Sequence, residues 1–132
     1  MTTTTQTRDP DNVLERDETL DLIASDKVEG TSVHDRDGEK VGTVRKVMIG
    51  KYDGQVRYVV MGMGGLFGMG EDNFPLPWDG LDYDKEIGGY KLKNVAKADF
   101  QKDKAPRHGL TDEPQWSKDY DDRIQMFYLR TA

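Results

Sequence analysis

The chain contains no cysteine, and that absence excludes disulfides, cysteine-ligated zinc, iron–sulfur clusters and thiol nucleophiles together. Histidine is nearly as scarce. His34 and His108 are the only two; they fall on different elements, and neither has a second imidazole nearby to begin a metal site. The three serines, Ser25, Ser32 and Ser117, sit in no nucleophile-elbow setting. Long apolar runs are missing as well. The longest uncharged stretch, Tyr58 to Gly70, includes five glycines and falls short of the roughly 20 apolar residues that a membrane helix needs. The opening Met1-Thr2-Thr3-Thr4-Thr5 has neither the basic nor the apolar region of a secretion signal. A cytoplasmic protein without membrane insertion is therefore expected.

Charge is abundant: acids outnumber bases 25 to 19 over 132 residues, for a net charge of −6. The excess sits at one end. Residues 1–26 carry 7 acids against 2 bases, whereas residues 94–132 carry 7 of each. Glycine is distributed differently, with 13 of its 14 copies between Gly30 and Gly89. Four regions follow from these breaks. Residues 1–19 form an acidic arm with too few apolar side chains to offset its ordering entropy, and it reads as disordered. Residues 20–93 form the folded middle, 94–109 a linker and 110–132 a helical extension. The acidic balance argues against broad attachment to nucleic acid or anionic lipid, so no nucleic-acid partner is expected. Arg45, Lys46, Lys51 and Arg57 make the one local basic cluster. It reads as solubilising surface, with an acidic partner, the chain's own arm included, as the alternative.

The middle reads as mainly β. Short runs rich in β-branched and aromatic residues alternate with turn signals. Leu22 to Val28 is a short helical lead-in. Thr31 to His34 is a strand closed by Asp35-Arg36-Asp37-Gly38, where the glycine supplies a tight turn. Val41 to Ile49 turns through Tyr52-Asp53-Gly54 into Gln55 to Met63. Simple alternation puts Val44 and Met48 on one face of the second strand and Val47 and Ile49 on the other. In the third, Val56, Tyr58 and Val60 oppose Arg57, Val59 and Met61. Neither strand is cleanly polar on one side, which predicts a small curved barrel covered on both faces. Two prolines at alternate positions make Phe74 to Trp78 an edge or bulged strand. Leu81 to Asp84 and Tyr90 to Lys93 form a hairpin through Gly88-Gly89. Beyond the linker, Asp112-Glu113-Pro114 reads as a helix start. Trp116, Tyr120, Ile124 and Phe127 or Tyr128 then recur at helical spacing. This stripe is expected to pack, on its own barrel or on a second copy.

Three other motifs bear on chemistry. Gly62-Met63-Gly64-Gly65-Leu66-Phe67-Gly68-Met69-Gly70 has the glycine density of a phosphate cradle, but Phe74-Pro75-Leu76-Pro77 follows where a helix would have to open. It reads as a loop whose Met63, Leu66, Phe67 and Met69 either cap the barrel or form an adaptable contact patch. Asp35-x-Asp37-Gly38-Glu39 lacks the third ligand position and terminal glutamate of a calcium loop, which leaves turn chemistry. The acids Asp79, Asp82, Asp84 and Glu86 read as a solvated turn face. No catalytic, cofactor or metal site is predicted.

The middle section resembles the PRC-barrel family, known from the cytoplasmic domain of the reaction-centre H subunit and from a ribosome-maturation factor. The likeness is carried by Leu22-Ile23-Ala24-Ser25-Asp26-Lys27-Val28-Glu29-Gly30 and by Val33-His34-Asp35-Arg36-Asp37-Gly38-Glu39-Lys40-Val41-Gly42. It continues through Val44 to Ile49, Val56 to Val60 and Phe74-Pro75-Leu76-Pro77-Trp78. The resemblance implies a small, partly open antiparallel β-barrel serving as a docking module without catalytic residues. The resulting expectation is a non-enzymatic protein acting through contact with an unknown protein partner and through self-association as a homo-oligomer. The residues expected to mediate it are Met63, Leu66, Phe67, Met69, Trp78, Trp116, Tyr120, Ile124 and Phe127. The alternatives are an accessory factor of a membrane photosynthetic or electron-transfer complex and a ribosome- or RNA-associated accessory.

Overall fold

The computed structural model describes residues 22–64, 72–100, 105–108 and 116–129. The acidic arm, the loop residues Leu66, Phe67 and Met69, and the Asp112–Pro114 helix start lie outside them. A single turn of helix, α1 (Ser25–Val28), leads into β1 (Ser32–His34), β2 (Lys40–Ile49), β3 (Val56–Met63) and β4 (Asp72–Pro77). A 3-10 turn at Trp78–Gly80 joins β4 to β5 (Leu81–Asp84), followed by β6 (Gly89–Leu92), α2 (Lys97–Phe100) and α3 (Lys118–Leu129). The strands form one sheet in the order β4-β3-β2-β1-β6-β5. Neighbours pair antiparallel except β1 and β6, which run parallel.

The sheet order dictates the curl. β4 and β5 are its two edges, five strand spacings apart, or about 24 Å in a flat sheet. Yet only the three residues of the 3-10 turn separate them in the chain, a link from Pro77 to Leu81 that spans at most about 14 Å. A flat sheet is impossible, and the strands wrap into a half-barrel.

The bulges then decide which side chains enter it. Val44 pairs with Met61 and Val47 with Val59, because an extra residue at Arg45 shifts the register between them. Val44 and Val47 therefore share the core face with Val59, Met61, Phe74 and Leu76. Met48 lies opposite Tyr58 on the other face. Strict alternation groups Val44 with Met48; the bulge between Val44 and Lys46 overturns that by flipping the phase of the strand. The second face is also covered: Val60 is fully buried, and the facing Pro75 and Pro77 are buried as well.

The prolines settle β4 as an edge. Asn73, Pro75 and Pro77 lie at alternate positions, so their backbone groups point to the same side. The Asn73 amide donates to the His108 carbonyl and the His108 amide to the Asn73 carbonyl, both at 2.9 Å. The two prolines have no amide to offer. The outer edge of β4 is thus stripped of free donors, a safeguard against adding a further strand.

The stretch expected as a linker supplies core instead. Val95, Phe100 and Ala105 are buried in the cluster that contains Val33, Leu76 and Tyr128. In α2 the Asp99 carboxylate reaches back to the Ala96 amide at 3.0 Å, closing the first turn. That turn presents the Phe100 ring edge-on to Phe74 at 5.2 Å and lays it within 6.3 Å of Phe127 and Tyr128. Barrel and C-terminal helix therefore share one core.

Asp35 joins these parts. It is 1% exposed, and its Oδ1 accepts the amides of Asp37 and Glu39 at 2.9 Å while Oδ2 accepts that of Lys97 at 2.7 Å. The β1–β2 turn is so pinned to the start of α2, 62 residues on. Burial pushes the carboxyl pKa up, but the amides of Lys97, Glu39, Asp37 and Gly38 outweigh it and hold the pKa below the ordinary 3.8. The motif read as turn chemistry is a turn, and it is also a clamp.

Asp35→Asn turns one acceptor into a donor facing an amide, and should cost about 2–4 kcal/mol in denaturant unfolding. Because the folded pKa is lowered, the stability from Asp35 is complete above pH 3.8 and lost as pH falls through the folded value. The variant should accordingly show a flatter acid limb, and an unchanged acid limb would contradict the clamp. At the parallel seam, a Cβ on Gly89 would stand 2.5 Å from both the Ser32 carbonyl and its hydroxyl. Gly89→Ala should therefore destabilise by about 2 kcal/mol, read as a lower midpoint at unchanged m-value.

Candidate functional site

A cleft lies where α3 meets the barrel. Ser117 starts the helix: its Oγ accepts the Tyr120 amide at 3.2 Å, as an N-cap does. Asp119 and Asp121 in the first turn suit the positive end of the helix. Four residues on, the helix buries Ile124, then Phe127 and Tyr128, against β4 and the 3-10 turn. The aromatic stripe therefore packs on its own barrel. Asn94 reinforces the contact by donating to the Tyr128 carbonyl at 3.2 Å.

Ahead of the helix, Trp116 leans on Tyr58 of β3 with ring centroids 5.2 Å apart, and also touches Tyr120 and His108. The Tyr58 hydroxyl donates to the Asp121 carboxylate, and Gln125 Nε2 donates to the same oxygen at 3.3 Å. Between these contacts and the 3-10 turn a cleft of about 770 Å³ remains. One wall is Gln55 and Val56 to Tyr58 at the start of β3, the floor is Pro77, Trp78 and Asp79, and the other wall is Trp116, Ser117, Lys118, Asp121 and Gln125. Trp78 is steadied from behind by Tyr90, at 5.5 Å.

Three of the four charged groups lining this cleft, Arg57, Lys118 and Asp121, have partners among the described residues. Arg57 pairs with Asp53, and Lys118 with Asp122 at 3.2 Å. Both histidines are committed to structure. His34 Nδ1 sits 3.0 Å from the Gly38 carbonyl, which can only accept, so Nδ1 carries a proton and donates; its Nε2 meets the Ser32 hydroxyl at 3.0 Å. His108 Nδ1 faces the Tyr120 hydroxyl at 3.3 Å. Burial raises the Tyr120 pKa, offset in part by Arg123, whose guanidinium lies 5.2 Å over the ring. Burial, then the neighbouring Tyr120, pushes Tyr128 well above 10.0, and its hydroxyl has no hydrogen-bond partner among the described residues. These phenols stay neutral. Among the described residues no three His, Asp or Glu side chains cluster as metal ligands, and no helix is long and apolar enough to cross a membrane.

Of the residues singled out in the sequence, Trp78 and Trp116 meet at the cleft, 38 positions apart in the chain. Tyr120, Ile124 and Phe127 are buried in the shared core, and Met63 is half-buried against it. Leu66, Phe67 and Met69 fall outside the described residues. Sequence reasoning did not select Tyr58, Pro77, Asp79 or Asp121 for the site. Tyr58 and Asp121 are 63 residues apart, and only the docking of α3 makes them partners.

That partnership can be tested. Tyr58→Phe keeps the ring stack on Trp116 and removes the bond to Asp121. Stability should fall by about 1 kcal/mol, discounted from the buried-charge value because the site is only half covered. Hydrogen exchange should accelerate mainly in the first turn of α3; uniform acceleration throughout the barrel would contradict a local tie.

The PRC-barrel domain family matches residues 20–97, more than half of the chain. No curated protein matches it. The matched stretch takes in all six strands and ends at the first residue of α2, where Asp35 clamps the Lys97 amide. The chain belongs to the PRC-barrel domain family.

Proposed function

We propose that this chain is a docking module working through protein–protein contact, with no catalysis of its own. One observation carries this reading: α3, beyond the matched family domain, packs on the barrel so as to leave an open, aromatic-lined cleft between them. Surfaces that combine fixed aromatic anchors with a polar rim are what protein partners use as energetic centres. The non-catalytic part of the proposal is supported by the pairing of Arg57, Lys118 and Asp121 with other side chains of the same chain, an arrangement without the convergent nucleophile and base that chemistry needs.

Self-association is one form such contact takes. The α3 stripe is occupied by its own barrel, so a dimer would arise by exchange of α3 between two copies or through the exposed apolar residues Leu22, Ile49, Tyr52, Tyr83 and Met126. Light scattering of the full chain over a range of concentrations should show reversible mass growth, and a constant monomer mass would remove the second copy as partner.

The cleft itself is tested by lysine-directed crosslinking in extract of the native host. Lys118 lies on the cleft rim with its side chain 87% exposed; Lys85 lies in the turn between β5 and β6. Crosslinks to another polypeptide should concentrate at Lys118. Crosslinks at Lys85 with none at Lys118 would place docking elsewhere.

A further inference from the structure

The charges around the cleft are matched unevenly. Arg57 is held by Asp53, Lys118 by Asp122, and Asp121 takes bonds from Tyr58 and Gln125. Asp79 is different. It is exposed on the cleft floor directly after Pro77 and Trp78, and it has no hydrogen-bond or ion-pair partner among the described residues. Among the described residues, the one charged group lining the cleft with neither a hydrogen-bond nor an ion-pair partner is therefore a carboxylate, on a lining that includes the rings of Tyr58, Trp78 and Trp116.

Aromatic faces carry negative charge density and attract cations. A carboxylate beside them adds attraction of the same sign, whereas an acidic ligand would meet both as repulsion. Among cationic side chains, arginine fits best, since its planar guanidinium can stack on a ring while donating a forked pair of bonds to a carboxylate. The cleft, at about 770 Å³, is larger than one side chain and within the range of sites that enclose a short ligand. It also offers Gln55, whose side chain has no partner among the described residues, to the main chain of an extended segment.

We propose that the cleft recognises an arginine presented by an extended segment of a partner protein, with the guanidinium on Asp79 and its flat face against the cleft tryptophans. This inference rests on the docking reading and specifies the chemistry of what docks.

The chain has two tryptophans, and both line the cleft, so intrinsic fluorescence reports its occupancy directly. The full chain is titrated with three blocked peptides, acetyl-Gly-Pro-Arg-Pro-Gly-amide and its analogues with Gln or Glu in place of Arg. The arginine peptide should change the emission and bind about tenfold more tightly than the glutamine one. Asp79→Asn should lose about that same factor. Asp82→Asn, which removes an equal charge from β5 where Asp82 faces Lys93 at 3.8 Å, should leave binding unchanged. Circular dichroism checks that both variants fold. Equal binding of the arginine and glutamine peptides, or equal losses in the two variants, would overturn the arginine assignment. Tightest binding of the glutamate peptide would overturn it too, while leaving the docking reading intact. No response to any of the three peptides would overturn both.

Discussion

Three residues between the two edges of one sheet control this molecule. Because β4 and β5 are sheet edges yet chain neighbours across Trp78–Gly80, the sheet has to curl, and the corner has to stand where the edges approach. The same turn places Trp78 and Asp79 on the cleft floor and presents Gly80 beneath the end of α3. A Cβ there would lie 3.4 Å from Leu129 and 3.7 Å from the Cβ of Tyr128. The closure of the barrel and the seat of the helix are thus one feature.

The C-terminal segment is consequently part of the fold rather than an appendage to it. Phe100 bridges Phe74 of β4 to Phe127 and Tyr128 of α3, His108 seals the β4 edge, and Asp35 ties the first hairpin to α2. Each contact joins residues at least 26 positions apart, so the barrel and its cover are stabilised as a unit. A small domain has little interior to spare, and this one enlarges its core by folding its own tail over the sheet.

Much of this was legible in advance. The turn at Asp35–Gly38, the edge character of the proline strand, the Gly88-Gly89 hairpin and the stripe from Tyr120 to Phe127 all follow from local patterns, because turns, prolines and helical periodicity act over a few residues. The bulge at Arg45 was not legible, since nothing local marks an extra residue that is defined by pairing with another strand. The parallel β1–β6 seam and the helical turn at Lys97–Phe100 were missed for similar reasons. A four-residue helix has no periodicity to detect, and Phe100 acquires its role only from Phe74 and Tyr128. The site divided in the same way. Trp78 and Trp116 drew notice as large aromatics, whereas Tyr58 and Asp121 owe their importance to each other.

In this structure α3 is a wall of the barrel domain, and the cleft exists because of it. Amide hydrogen exchange of the full-length chain tests this most directly. If α3 shares the core, the amides from Ile124 to Leu129 should be protected to nearly the same free energy as those of β2 and β3, opening only in global unfolding. Exchange in that half of α3 much faster than in the central strands, under conditions where the barrel stays protected, would show a helix that leaves the sheet independently and would contradict the account.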